Sequence, residues 1–285
     1  MRKSKLWLCL STAAITLSVF IFAAACHKDA SSLNTDDNGG YASDNSKMEQ
    51  NSNDVVSIAD VAVSSPSGTN TNMRTTGTTG IGHCATITHD TVGTVYTTTI
   101  NFGTADCPCL DGKNRRGSII VTYTGNYFNA GSVRTITYDN YYVNDNQLTG
   151  KKVITNVGLN SSNQDYYTVQ VNDTLNLGAG NGEIVWSGTR TRTWLTGYNT
   201  PTDRTDDSYL IGGTTTLIRA NGNTFVMTIT TPLQVAYGCA WIEAGVVTIT
   251  GPGGGTRTLN YGNGNCDSEA QLTLANGKTY NITLR

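Results

Sequence analysis

The residues best placed to do chemistry are cysteines, and two segments place them in the same way. Thr97-Thr98-Thr99-Ile100-Asn101-Phe102-Gly103 is followed after three residues by Cys107, and Thr256-Arg257-Thr258-Leu259-Asn260-Tyr261-Gly262 after three residues by Cys266. Upstream of each stands a further cysteine, in Cys84-Ala85-Thr86-Ile87 and Cys239-Ala240-Trp241-Ile242. The order cysteine, strand, turn, strand, cysteine therefore occurs twice. It predicts two related hairpins, each closed by a disulfide, Cys84 with Cys107 and Cys239 with Cys266. Each closed loop of about 25 residues contributes about 2–4 kcal/mol in a favourable geometry. Four cysteines allow three pairings, so the repeat, and not the count, carries the assignment. Cys109 is left over. It reads as a buried thiol or a competitor for Cys84; a metal set of His83, Cys84, Cys107 and Cys109 is the alternative.

Other side chains suggest weaker chemistry. In a strand, Arg190 and Arg192 share a face with Trp186 and Trp194. Such a ridge can grip an anionic sugar or a carboxylate, or it can be a solvated face on which arginine stems cover the indole rings. Asp203, Arg204, Asp206 and Asp207 form a polar loop that reads as solvated, with calcium binding or paired carboxylates for glycoside hydrolysis as alternatives. No G-x-S-x-G, H-E-x-x-H or phosphate-binding glycine loop is present, and Gly251 to Gly255 reads as a turn. No catalytic residue, metal or cofactor is assigned, and whether the chain is an enzyme stays open, with a non-enzymatic role preferred.

The N-terminus has the three parts of an export signal. Arg2, Lys3 and Lys5 precede an apolar run from Leu6 to Phe22, and Ala23-Ala24-Ala25 precede Cys26. Small residues directly before a cysteine resemble the lipobox of bacterial lipoproteins. That resemblance implies cleavage after residue 25, lipidation of Cys26 and attachment to a membrane through the lipid. Export also permits disulfides. Loss of three cations and no acid with the signal takes the formal charge from −2 to −5. That balance gives no footprint for nucleic acid.

Residues 26–81 are rich in Ser, Asn, Asp, Thr and Gly and show no sustained period, which predicts a flexible tether spanning about 40 Å root-mean-square. Val55 to Val63 stands out within it as a strand or docking segment. From residue 82 to 285 the pattern is short alternating runs, among them Ser118–Thr124, Ile184–Trp194 and Thr224–Thr230, separated by turn signals such as Asn221-Gly222 and Asn276-Gly277. The expectation is an all-β domain, an antiparallel sandwich or barrel-like sheet of many hairpin-connected strands.

Several stretches carry a family likeness: Cys109 to Val121, Tyr141 to Asn146, Trp186 to Trp194 and Tyr261 to Asp267. Across residues 82–285 the chain resembles a family of uncharacterised lipoproteins of Bacteroidetes-type bacteria. The likeness implies an envelope location and brings no established activity. Lys28-Asp29, just after Cys26, resembles the surface-export signal of such lipoproteins, which implies an outer-membrane protein with its domain outside the cell or on the periplasmic side. Tyrosine outnumbers phenylalanine 14 to 5, and tyrosine is enriched at interfaces. The leading expectation is a non-enzymatic module that binds a glycan or a protein. The alternatives are an assembly subunit that pairs by strand addition, with Val55–Val63 as donor, and a carbohydrate-active enzyme.

Overall fold

The computed structural model describes residues 39–64, 83–126, 129–200 and 205–284. The signal segment, Cys26, Asp203 and Arg204 lie outside the described residues. The chain opens with a helix, α1 (Gly40–Val63), and continues in β1 (Thr86–Val92), β2 (Val95–Asn101), β3 (Cys107–Pro108), β4 (Asn114–Thr124), β5 (Val133–Val143), β6 (Asn146–Leu159) and β7 (Asp165–Asn176). After a short 3-10 turn come β8 (Glu183–Thr196), β9 (Ser208–Ile218), β10 (Thr224–Ala236), β11 (Ala244–Thr250), β12 (Thr256–Asn263), β13 (Glu269–Thr273) and β14 (Thr279–Thr283). These strands form one antiparallel meander in which each pairs with its sequence neighbour, except that β2 pairs β4 and the two-residue β3 adds to β4. The sheet is not closed: among the described residues, β1 and β14 are its two edges. The all-β expectation holds, in its single-sheet form.

The sheet must curl, because one helix touches strands far apart in its order. Asp54 of α1 meets Arg115 on β4, Asp60 meets Arg134 on β5 and Arg192 on β8, Glu49 meets Arg190 on β8, and Asp44 meets Arg219 just after β9. Tyr41 stacks on Phe225 of β10 with ring centroids 4.8 Å apart, and Ser46 Oγ lies 2.9 Å from Tyr261 Oη on β12. Laid flat at about 4.8 Å per strand, β4 to β12 would span about 40 Å, several times the width of a helix. Only a sheet wrapped around α1 brings these side chains to it.

Alternation divides the strands cleanly. On β8, Ile184, Trp186, Arg190, Arg192 and Trp194 are buried, while Val185, Ser187, Thr189, Thr191 and Thr193 face away. The outer face is largely threonine. In register, Thr189, Thr214, Thr228, Thr248, Thr258, Thr273 and Thr279 form an unbroken row across β8 to β14. Their hydroxyls meet in places, as at Thr214 Oγ1 and Thr228 Oγ1, 3.2 Å apart. A β-branched residue with a hydroxyl suits a strand face turned to water, so this row accounts for much of the threonine.

The two cysteine-closed hairpins are present as expected, Cys84–Cys107 and Cys239–Cys266. Their repeat is also structural. Asn101 Oδ1 accepts the Gly103 N–H at 2.7 Å, and Asn260 Oδ1 accepts the Gly262 N–H at 2.9 Å. Both glycines have positive φ, +84° and +96°, which is why each motif needs glycine there. The intervening aromatics, Phe102 and Tyr261, are both buried.

The tether expectation for 26–81 is corrected for residues 39–64. They form a 24-residue helix whose buried residues include Tyr41, Met48, Glu49, Val55, Ile58 and Asp60. Val55–Val63 is its last part and not a strand. The helix is buried on most sides, so it shows no single apolar stripe, and its polar residues are matched by partners from the sheet.

Removing one member of a buried ion pair leaves a charge without compensation, at a cost of about 3–5 kcal/mol. Asp60→Ala, which removes an ion-pair partner from both Arg134 and Arg192, is expected to lower the free energy of unfolding by that order. Replacing Glu49 and Arg190 together by Met should cost far less than either change alone. Equilibrium unfolding of the single and double variants checks both statements.

Candidate functional site

A cavity of about 410 Å³ lies against the middle of α1. One wall is a helix face, Gln50, Asn53, Asp54 and Ser57, whose i, i+3, i+4, i+7 spacing puts them on one side. The second is the tight turn before β4, with Leu110, Asp111 and Lys113. It is shaped by the Cys109 N–H donating to Lys113 O at 2.9 Å and by Gly112 at φ +78°. The third wall is the end of β10 and the connection that follows it, Val235 to Ile242, which includes Cys239 and so is held by the second disulfide. Arg192 and Tyr209 line it from the sheet. The cavity's size falls within the range of small-molecule sites, about 300–1,000 Å³.

The charges in these walls are matched. Asp54 Oδ2 accepts from Arg115 Nη2 at 2.7 Å and lies 3.3 Å from Lys113 Nζ. Asp111 accepts from Arg115 at 2.5 and 2.8 Å and lies 3.9 Å from Lys113. Burial acts to raise the Asp54 carboxyl, but Lys113 and Arg115 outweigh it and hold the group below the usual carboxylate range. Arg192 donates to Asp60 at 2.7 Å and lies over the Tyr209 ring, its Cζ 3.5 Å from the centroid. Two amide nitrogens are not matched: Gln50 Nε2 and Asn53 Nδ2 are shielded from solvent and lack a hydrogen-bond partner among the described residues.

The proposed binding face of Trp186, Arg190, Arg192 and Trp194 is corrected. All four are buried on the inner side of the sheet, at 0%, 3%, 6% and 6% exposure. Arg190 donates to Glu49 and, at 2.8 Å, to Thr215 Oγ1, and Trp194 Nε1 donates to Asp207 at 3.2 Å. The face is neither a ligand ridge nor a solvated surface but the lining around α1. Arg192 alone reaches the cavity. Sequence reading missed Gln50, Asn53, Asp54, Lys113 and Trp241; the turn at Asp111-Gly112 was the nearest signal.

The remaining expectations on chemistry resolve separately. Asp207 is buried and also accepts from Tyr209 Oη at 3.0 Å, while Asp206 holds Thr200 Oγ1 at 2.9 and 3.1 Å. Both carboxylates have structural partners. Cys109 is a free, buried thiol, and burial pushes it above its ordinary pKa, which keeps it in the unreactive form. The disulfide takes the Cys84 and Cys107 sulfurs out of the four-residue metal set. Asp173 and Lys152 form a buried pair on the inner face, with Lys152 also donating to Tyr138 Oη at 2.9 Å.

No family model, curated protein or solved structure matches the chain.

The depressed Asp54 carboxyl sets a sign for the acid limb of stability. Its contribution is present above the unfolded carboxylate pKa of about 3.9 and is lost as pH falls through the lower, folded value. Wild type should therefore exceed Asp54→Asn in melting temperature at neutral pH, and the gap should close below about pH 4. Thermal melts of both proteins across that range check it.

Proposed function

We propose that this chain is a lipid-anchored protein of the outer membrane whose domain is a non-enzymatic binding module, with the cavity against α1 as its ligand site. The observation that carries the ligand site is the cavity itself, about 410 Å³ between α1, the Asp111 turn and the loop after β10, with Tyr237 and Trp241 in its lining. The anchor reading rests on the basic, apolar and small-residue order before Cys26. The helix tightens that reading. Gly39 lies 13 residues after Cys26, so the start of α1 can stand no farther than about 45 Å from the lipidated sulfur. The domain is then carried close to the membrane, with α1 as the element nearest the anchor in sequence.

A second reading has one observation in its favour. Among the described residues the sheet ends at β1 and β14, and a sheet edge can accept a strand from another chain. The donor first assigned to this role, Val55–Val63, is helical and buried, so an assembly partner would have to bring its own strand.

Lipid attachment is tested by metabolic labelling with a fatty acid and by fractionation. The full chain should take up label and partition with membranes, and Cys26→Ala should lose both. Label retained by the variant would remove the anchor reading. Protease treatment of intact cells then separates a surface-exposed domain from a periplasmic one.

A further inference from the structure

We infer that Lys152 and Asp173 become joined through their side chains, in an intramolecular amide that staples β6 to β7.

The strand register brings the two together. In the β6–β7 ladder Lys152 stands opposite Val171 and Asp173 opposite Gly150, so the two are diagonal neighbours on the inner face of the sheet. A diagonal neighbour is within reach of a long side chain. Gly150 has no side chain to stand between them. Lys152 is 0% exposed and Asp173 1%, and Lys152 Nζ lies directly against Asp173 Oδ2. Among the described residues neither makes another ion pair.

The residue type then decides what the pair can do. Arg115, Arg134, Arg190 and Arg192, also buried inside the sheet, each answer a carboxylate of α1. A guanidinium keeps its charge, whereas a buried lysine gives up its proton readily and is then a nucleophilic amine. Lys152 answers a carboxylate on the adjoining strand instead. Two charges held out of water are costly. Burial lifts the Asp173 carboxyl above its ordinary pKa, although Lys152 and the hydrogen bonds act to lower it. Transfer of one proton leaves an amine against a neutral carboxyl group. These are the two halves of an amide, already held in contact, so the entropy of bringing them together has been met by folding.

Tyr138 of β5 supplies the proton path. Lys152 Nζ donates to Tyr138 Oη at 2.9 Å, and Tyr138 Oη donates to Asp173 Oδ1 at 3.5 Å. The Lys152 ammonium passes one proton through the phenol to Oδ1. The Nζ lone pair attacks Cγ, the C–N bond forms and the Cγ–Oδ2 double bond opens. A second proton from the nitrogen follows the same path, the Cγ–Oδ1 bond breaks, and Oδ1 leaves as water while Oδ2 recloses the carbonyl. Nothing is oxidised or reduced, and no co-reactant enters. Burial holds the Tyr138 hydroxyl well above its ordinary pKa, so it relays protons and keeps its own.

The test is peptide mapping of the purified full chain after reduction and denaturation. No Lys or Arg lies between Val153 and Thr189. With the amide in place, trypsin is unable to cut after Lys152, and both residues stay in one peptide, 152–190, lighter than its sequence by one water. Chymotryptic cleavage after Tyr167 should then leave its two halves joined. Lys152→Arg and Asp173→Ala should each abolish the joined species. Lys152→Arg keeps a cation against Asp173, and a cooperative thermal melt verifies that it folds. In pulse-labelled chains, Tyr138→Phe should form the link about a hundredfold more slowly. A wild-type peptide that begins at Val153 and carries its full mass would overturn the inference and leave an ordinary ion pair. A link that forms as fast in Tyr138→Phe as in wild type would overturn the proton path.

Discussion

Four carboxylates on α1, Asp44, Glu49, Asp54 and Asp60, each meet an arginine that points inward from the sheet or its turns. Arginines on the concave side of a curled sheet have no access to bulk water, and a cation held there alone would be prohibitive. The helix is therefore not an appendage to a finished β-domain. It supplies the counter-charges and much of the apolar filling that allow one sheet to curl without closing on itself. The apolar part is carried by Tyr41, Met48, Val55, Val56 and Ile58, all buried.

The same constraint places the cavity. Where α1 turns Gln50, Asn53, Asp54 and Ser57 towards the loops and not towards a strand, the filling is incomplete, and the walls are completed by the Asp111 turn and the loop after β10. Both regions are tied by disulfides, Cys84–Cys107 near the first and Cys239–Cys266 in the second. The duplicated motif thus does structural work at two places in the meander. It fixes the loop approach with an asparagine-capped turn, a buried aromatic and a covalent closure, and the cavity lies between the two places so fixed.

How far the sequence disclosed this follows from the range of the interactions. Alternation on each strand is local, and β4, β8 and β10 lie where their patterns put them, with Asn221-Gly222 and Asn276-Gly277 between strands. The cysteine pairing was legible because the motif is written twice. The helix was not, because its polar residues are matched by partners distant in sequence: Glu49 by Arg190, Asp60 by Arg134 and Arg192. Read alone, Asn45, Ser46, Glu49 and Ser52 look like solvated linker; inside the sheet they are buried. The same blindness turned Arg190 and Arg192 outward on paper, since a charged strand face is ordinarily a wet one. The cavity depends on three segments far apart in the chain, so no local pattern marks it.

The most direct test of this account removes residues 39–64 from the chain and asks whether the sheet folds, then returns them as a separate peptide. If the helix supplies the missing counter-charges and core, the deleted protein should lack a cooperative unfolding transition and dispersed amide resonances, and the peptide should restore both at stoichiometric binding. A deletion variant that folds cooperatively with wild-type stability and leaves the peptide unbound would contradict it.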